Sequence, residues 1–346
     1  MNGSSRSVAG RTVVITGATS GLGRATARLL AAAPGITVVA AARDAARGAH
    51  VARELTRVAA AARPSASRPP HDATPAAPAA DAPAAVALPL DLADLASVRA
   101  FPTALDGAGL PPLHALIANA GVQHTDRTHT SADGFEATFA TNHLGHFLLI
   151  RLLLDRIADG GRIAIVSSGT HKRQRLRNAG YPPPRWADAR TLATPGAGSG
   201  QVAYATSKLA NAITAVELGR RIDALRPGRR IAVHGVDPGL IPATGLARDY
   251  SPRARRAYRR LAPLIAALLP VATTPERAAV HLAATALDSS YARDARPGAL
   301  PAGRWWEISR DGAPSALAQD PATGAALWRD SEALVGLAPA PRAAAS

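Results

Sequence analysis

A chain of 346 residues, 47% hydrophobic and 19% charged, can bury a large core; with aromatics at 4%, Ala, Leu, Val and Ile must fill it. It has no cysteine, which excludes disulfides, thiolate metal sites and a cysteine nucleophile; no metal site is expected. The formal charge is +15, but all but two of the 40 basic residues are Arg, scattered among Ala, Pro and Gly, and no basic stripe interleaved with aromatics marks a nucleic-acid platform.

In chain order, residues 1–10 carry no apolar signal stretch and are expected to be disordered, in a cytoplasmic protein. RTVVIT at 11–16 reads as a strand, residues 22–33 as a helix, ITVVAA at 36–41 as a second strand and 44–62 as a second helix. Residues 63–85, rich in Pro, Ala and Ser without periodicity, read as a flexible insertion. Strand patterns continue at 86–89, 113–118, 162–167 and 230–236, with helical stretches between them. Such alternation predicts an α/β fold, a doubly wound parallel sheet of the Rossmann kind covered by helices on both faces. One domain is expected over 11–312, followed by a helical tail at 313–346. The apolar run at 261–272 holds Pro263 and Pro270 and falls well short of the ~20 residues that span a bilayer.

Directly after the first strand stands TGATSGLG. Gly17 frees the tight turn, Gly21 lets a pyrophosphate approach the backbone, and Gly23 lets the new helix pack close to the strand. Ser20, Leu22 and Arg24 share that turn, and the helix N-terminus offers N–H groups and a positive dipole end to phosphate. The second strand ends in Arg43 and Asp44. An acidic residue there would bind the ribose 2′-hydroxyl of NAD, an Arg the 2′-phosphate of NADP; Arg43 comes first, with Arg24 just past the glycines as a second phosphate ligand, so NADP(H) is expected over NAD(H). Asp44 suits a helix cap instead.

Tyr204-Ala-Thr-Ser-Lys208 places a phenol and an ammonium at i and i+4, on one face of a helix. A nearby ammonium favours the phenolate and is expected to lower the phenol's pKa. Lys208 and Lys172 are the only lysines in an Arg-rich chain, which points to a task Arg would not fill. Ser167 and Ser168 end a strand where open α/β sheets bind ligands. Asn119-Ala120-Gly121 follows another strand, and Asn142 sits in an otherwise apolar helical stretch, TNHLGHFLL.

Together these motifs resemble the short-chain dehydrogenase/reductase family: TGATSGLG, Asp91-Leu92 after the third strand, NAG at 119–121, Asn142, the Ser pair, YATSK, and Asp237-Pro238-Gly239, in the family's order over roughly residues 10 to 310. The resemblance implies that Tyr204 exchanges the substrate proton. Lys208 would bind the nicotinamide ribose and depress the Tyr204 pKa, and Ser168 would hydrogen-bond the substrate oxygen. Asn142 would hold a relay water. Asp91 would contact the adenine, and Leu92, the NAG backbone, Pro238 and Gly239 would line the cofactor cleft. TNHLGHFLLIRLLLD, PGLIPATGLARD and the tail from RWWEIS to LWRDSEALVGLA are similar to the protochlorophyllide reductase and retinol-dehydrogenase-like branch. The light-dependent enzyme of that branch carries Cys two positions after the motif lysine and just after Pro-Gly; Ala210 and Leu240 stand here, so a dark carbonyl or alkene reductase is expected.

The interval from Ser168 to Tyr204 is longer than usual for the resembled family. It holds Lys172, Arg173, Arg175, Arg177, Tyr181, Pro182 to Pro184 and Trp186. Its basic part reads either as a selector of an anionic group or as a solvated loop. The resemblance implies that residues 240–272 form a substrate lid, and their apolar later part suits a hydrophobic small molecule. The rival is an amphipathic membrane-surface helix with Arg253, Arg255, Arg256, Arg259 and Arg260. A catalytically silent nucleotide-binding scaffold is the alternative to an enzyme, though it would not need Ser168, Tyr204 and Lys208 together. A homo-oligomer is left open.

Overall fold

The computed structural model describes residues 10–63, 82–172, 181–241, 256, 272–293, 300–308 and 310–339. The expected disordered N-terminus, most of the 63–85 insertion, Arg173, Arg175 and Arg177, and most of the 240–272 lid lie outside the described residues.

The β-branched runs become parallel strands: β1 (Arg11–Thr16), β2 (Ile36–Ala42), β3 (Ala85–Pro89), β4 (Leu113–Ala118), β5 (Ile157–Val166), β6 (Ala232–Asp237) and β7 (Trp305–Glu307). A short β8 (Arg310–Asp311) pairs antiparallel with β7. The sheet order is β3-β2-β1-β4-β5-β6-β7-β8. Side chains on both faces of the central strands are buried, which is why these strands read as continuous apolar runs rather than alternations. β5 begins at Ile157, five residues before the position expected from the sequence. Ile157 pairs with Leu113, and the register shifts before Arg162 pairs with Ala115. Gly160 and Gly161 within that shift hide the strand from a propensity reading.

The helices are α1 (Gly21–Ala32), α2 (Ala45–Ala62), α3 (Leu95–Gly107), α4 (Ala137–Phe139), α5 (Gly145–Leu153), α6 (Ala189–Ala193), α7 (Gly200–Leu225), α8 (Pro275–Leu287), α9 (Ala316–Gln319) and α10 (Pro321–Leu334). Asp44 caps α2, accepting from the Arg47 N–H at 2.9 Å. The sheet divides two apolar cores. One packs Leu22, Ala27 and Leu30 of α1 with Val51, Leu55 and Leu282. The other packs Phe101, Phe147, Leu209 and Ile213 with Trp305 and Trp328. The second core reaches the end of the chain: Trp328 of α10 meets Phe147 edge-on at 5.0 Å, and Arg151 and Arg221 lie over its ring.

Between α4 and α5 the chain makes a π-helical turn, Ala140–Leu144. The sequence suggested plain helix there. The turn shifts the backbone just at Asn142, and such bulges gather at functional positions.

Candidate active site

At the tip of β1, Gly17 and Gly21 hold φ of 71° and 52°, a region that penalises any side chain. A Cβ on Gly23 would overlap the Gly17 carbonyl oxygen and meet Asn119 Nδ2 at 2.6 Å, so α1 packs against the turn only with glycine there. Ser20 is the N-cap of α1, but its side chain makes no bond to the first-turn N–H groups, which stay available to an anion. This cradle fits the pyrophosphate of a dinucleotide. Asn119 locks it to β4: its N–H and that of Ala120 donate to Thr16 Oγ1, and its Nδ2 donates to the Thr16 carbonyl, each at 2.9 Å.

At the tips of β2 and β3, Arg43 and Asp91 face each other with Nε and Oδ2 3.9 Å apart. The Arg43 side chain is 67% exposed and can turn toward a phosphate. Arg24 is differently placed. Its Nε and Nη2 both donate to Glu54 Oε2, and Arg28 shares the same carboxylate, so Arg24 is tied to α2. Those two guanidiniums lower the Glu54 pKa against the opposing effect of burial.

On the other side of β4, the side chains converge. Tyr204 and Lys208 lie on buried faces of α7, with Ser168 near enough to the Tyr204 phenol to lower its pKa. Lys208 Nζ lies 5.7 Å from the Tyr204 ring centroid and donates to the Val166 carbonyl at 3.1 Å. Asn142 is fully buried; Nδ2 donates to the Val122 carbonyl and to Ser207 Oγ, and Oδ1 accepts from the Val122 N–H. It therefore pins the segment that follows Gly121. A Cβ on Gly121 would lie 3.5 Å from Asn142 Oδ1 and 3.6 Å from Lys208 Nζ, so the three positions form one corner of the site. Asp237 accepts from the Gly239 N–H at 3.0 Å, and Gly239 turns at positive φ just after Pro238.

The electrostatics depart from the sequence expectation. Burial, the charge of Asp237 next, raises the Tyr204 pKa well above its ordinary value, with Ser168 opposing. The lowering expected from Lys208 is not among the causes: the cation is itself buried, and desolvation brings its pKa down to about 8.

Residues 11–67 and 66–187 match the short chain dehydrogenase family pattern. The chain belongs to the short-chain dehydrogenase family. It is 33% identical over 94% of its length, and 80% of the relative's, to protochlorophyllide reductase A, chloroplastic, of Triticum aestivum. It is 37% identical over 67% of its length to polyprenol dehydrogenase of Mus musculus, of which it spans 60%. A crystal structure of an uncharacterized protein from Mycobacterium Paratuberculosis superposes with a TM-score of 0.58 and 30% identity, covering 94% of each chain. These relatives bear out the branch likeness seen in the sequence. No helix among the described residues is long and apolar enough to cross a membrane.

His171 and His146 escaped sequence reasoning, and Lys172 and Tyr181, named there as part of the loop after Ser168, take partners that it did not show. His171 follows Ser168 by three positions; its Nδ1 lies 2.6 Å from the Ser168 carbonyl, and its Nε2 accepts from the Ser315 N–H at 3.2 Å. Lys172 pairs with Glu307, so this member of the basic loop is bound to β7 rather than presented alone to a ligand. Tyr181 donates to Gln123 and meets the Tyr204 ring edge-on, with centroids 6.0 Å apart. His146 stands four residues after Asn142, and that i, i+4 spacing of polar residues in an apolar helix was the one signal that could have found it.

Proposed function

We propose that the chain catalyses NADP-dependent hydride transfer between the nicotinamide and a carbonyl, alcohol or alkene of a hydrophobic small molecule. One observation carries the reading: Ser168, the buried Tyr204 phenol and the buried Lys208 gather on one side of β4, with a glycine cradle on the other. When bound, the nicotinamide supplies or takes the hydride. In the reductive direction Ser168 donates a hydrogen bond to the substrate carbonyl oxygen, and Tyr204 gives that oxygen its proton. The raised phenol pKa suits this direction, since it keeps the proton on Tyr204 until the oxygen gains charge. Lys208 holds the ribose hydroxyls and offsets the phenolate left behind. Asn142 keeps the segment after Gly121 in register with Lys208. Gly17, Ser20, Gly21, Leu22, Gly23, Asn119, Ala120, Pro238 and Gly239 form the cleft walls, Asp91 and Leu92 meet the adenine, and Arg43 takes the 2′-phosphate. The two relatives are named for a polyprenol and for protochlorophyllide, both largely apolar molecules, which supports an apolar substrate. Ala210 and Leu240 in place of the cysteines of the light-dependent enzyme favour dark chemistry.

Titration with NADPH and NADH, followed by nicotinamide fluorescence, tests the reading. Wild type is expected to bind NADPH more tightly than NADH. Arg43→Ala should weaken NADPH about tenfold, the loss of one charge-assisted phosphate contact, and leave NADH unchanged. Binding of neither nucleotide would sink the oxidoreductase reading and the nucleotide-binding scaffold alike.

A further inference from the structure

His146 is 2% exposed and stands between the two parts of the site. Its Nδ1 lies 3.0 Å from the Asn142 carbonyl oxygen and its Nε2 2.8 Å from Thr16 Oγ1. A carbonyl oxygen only accepts, so Nδ1 carries the proton. Nε2 then only accepts, and the Thr16 hydroxyl donates to it. The other acceptor within reach of that hydroxyl, the Ile117 carbonyl, is farther at 3.4 Å. Thr16 Oγ1 in turn accepts the N–H groups of Asn119 and Ala120. A directed chain of hydrogen bonds thus runs from the turn after β4, through the tip of β1, to the backbone of the π turn.

The Asn142 side chain is committed to Val122 and Ser207, so the backbone of the turn is fixed by other means, and the His146 bond to its carbonyl is one. Burial pushes the His146 imidazole down to about 4, and the Lys208 ammonium adds to that effect. His143, on the same turn, is the other titratable ring beside it and is also held neutral by burial. The ring therefore keeps one tautomer at neutral pH.

We propose that His146 is a positioning residue for hydride transfer, fixing the Asn142 backbone carbonyl relative to the glycine cradle so that the π turn and the nucleotide turn hold one geometry. The role rests on the oxidoreductase reading above; the tautomer does not. NMR of the full chain with 15N-labelled histidine reads the tautomer directly, the signal being assigned by its loss in a His146 variant. A neutral Nδ1–H ring, unchanged from about pH 5.5 to about pH 8.5 on either side of the ordinary histidine pKa, is expected. An Nε2–H ring, or titration near the ordinary value, would overturn the proposal.

Two variants then separate positioning from packing. His146→Asn keeps an amide donor where Nδ1 stood, and His146→Gln keeps an acceptor where Nε2 stood. With NADPH and 9,10-phenanthrenequinone as a general carbonyl probe, His146→Gln should lose about tenfold in kcat, the worth of one buried hydrogen bond. Its Kd for NADPH should stay within about twofold, because the Thr16 link survives. His146→Asn, which keeps the donor to the Asn142 carbonyl and gives up Thr16, should recover most of the rate and weaken NADPH binding instead, since the cradle loses its tie. Equal losses in both, or none in either, would overturn the role. If His146→Gln does not fold, the wild-type tautomer and the rate of His146→Asn decide. A wild-type chain that binds neither nucleotide sinks the oxidoreductase reading and the positioning role with it, whereas one that binds NADPH and shows the Nε2–H ring sinks the positioning role alone.

Discussion

At the tip of β1 the chain offers backbone: two glycines at positive φ, a third with no room for a Cβ, and a row of N–H groups held by Thr16 and Asn119. At the tips of β5 and β6 it offers side chains: Ser168, Tyr204, Lys208 and Asp237, the last three buried with shifted pKa values. Under the proposed function, the difference follows from what each half would handle. A pyrophosphate carries its charge permanently, so fixed dipoles suffice and no group there need titrate. A proton that moves during reaction needs a group whose protonation state is set by its surroundings, and burial sets it. The four fully buried histidines among the described residues, at 143, 146, 171 and 234, likewise all lie after β4.

The sharpest way to break this comparison is to remove the proposed proton donor alone. Tyr204→Phe should lower turnover about a thousandfold while leaving the NADPH Kd near wild type; stopped-flow rates and fluorescence titration read the two separately. Retained turnover would move the chemistry elsewhere. Acid should act next, and through the side-chain half. Burial pushes His146, His171 and His234 down to about 4, from an ordinary 6.5. The unfolded chain therefore takes up protons that the folded chain refuses. Stability is full above about pH 6.5 and is lost as pH falls toward 4, by up to about 3 kcal/mol for each such ring. Urea unfolding across that range should show the decline; a flat profile would mean the rings are not buried as described.

Glu332→Ala should cost about 3 kcal/mol. The carboxylate is buried with Arg151 and accepts from Trp328 Nε1, and its loss leaves a guanidinium without that partner. Urea unfolding measures the loss, and NADPH affinity should hold, since α10 packs on α7 and not on the cradle. The smallest effect belongs to the backbone half. Gly23→Ala should cost about 2 kcal/mol of stability through overpacking against Gly17 and should weaken NADPH binding. Turnover at saturating NADPH should change little; a large fall in kcat would show that the two halves are not separable.

Much of the backbone half was legible beforehand. TGATSGLG needs only its neighbours to form a strand, a turn and a helix start, and β1, β2 and β4 fall where their apolar runs place them. The side-chain half was legible as residue types, not as an environment. Tyr204 and Lys208 share a helix face as their spacing requires, but the spacing suggested an ammonium in control of the phenol. Burial and Asp237, which arrives from β6 more than thirty residues later, hold the pKa up instead. Arg24 looked like a phosphate ligand from its place beside the glycines, and Glu54 on α2 takes it. Lys172 looked like part of an anion selector, and Glu307 on β7 takes it.

The sequence by itself determined most of the order of strands and helices, the glycine turn after β1 and the shared helix face of Tyr204 and Lys208, because periodicity, φ freedom and i, i+4 spacing are local properties of a chain. Tertiary structure alone decided which of these groups carry protons and which cations are already paired. It also put a π turn at Asn142 and joined it through His146 to Thr16, 130 residues earlier. Desolvation and hydrogen-bond partnership depend on what arrives from the other side of the sheet, and no window of sequence contains that.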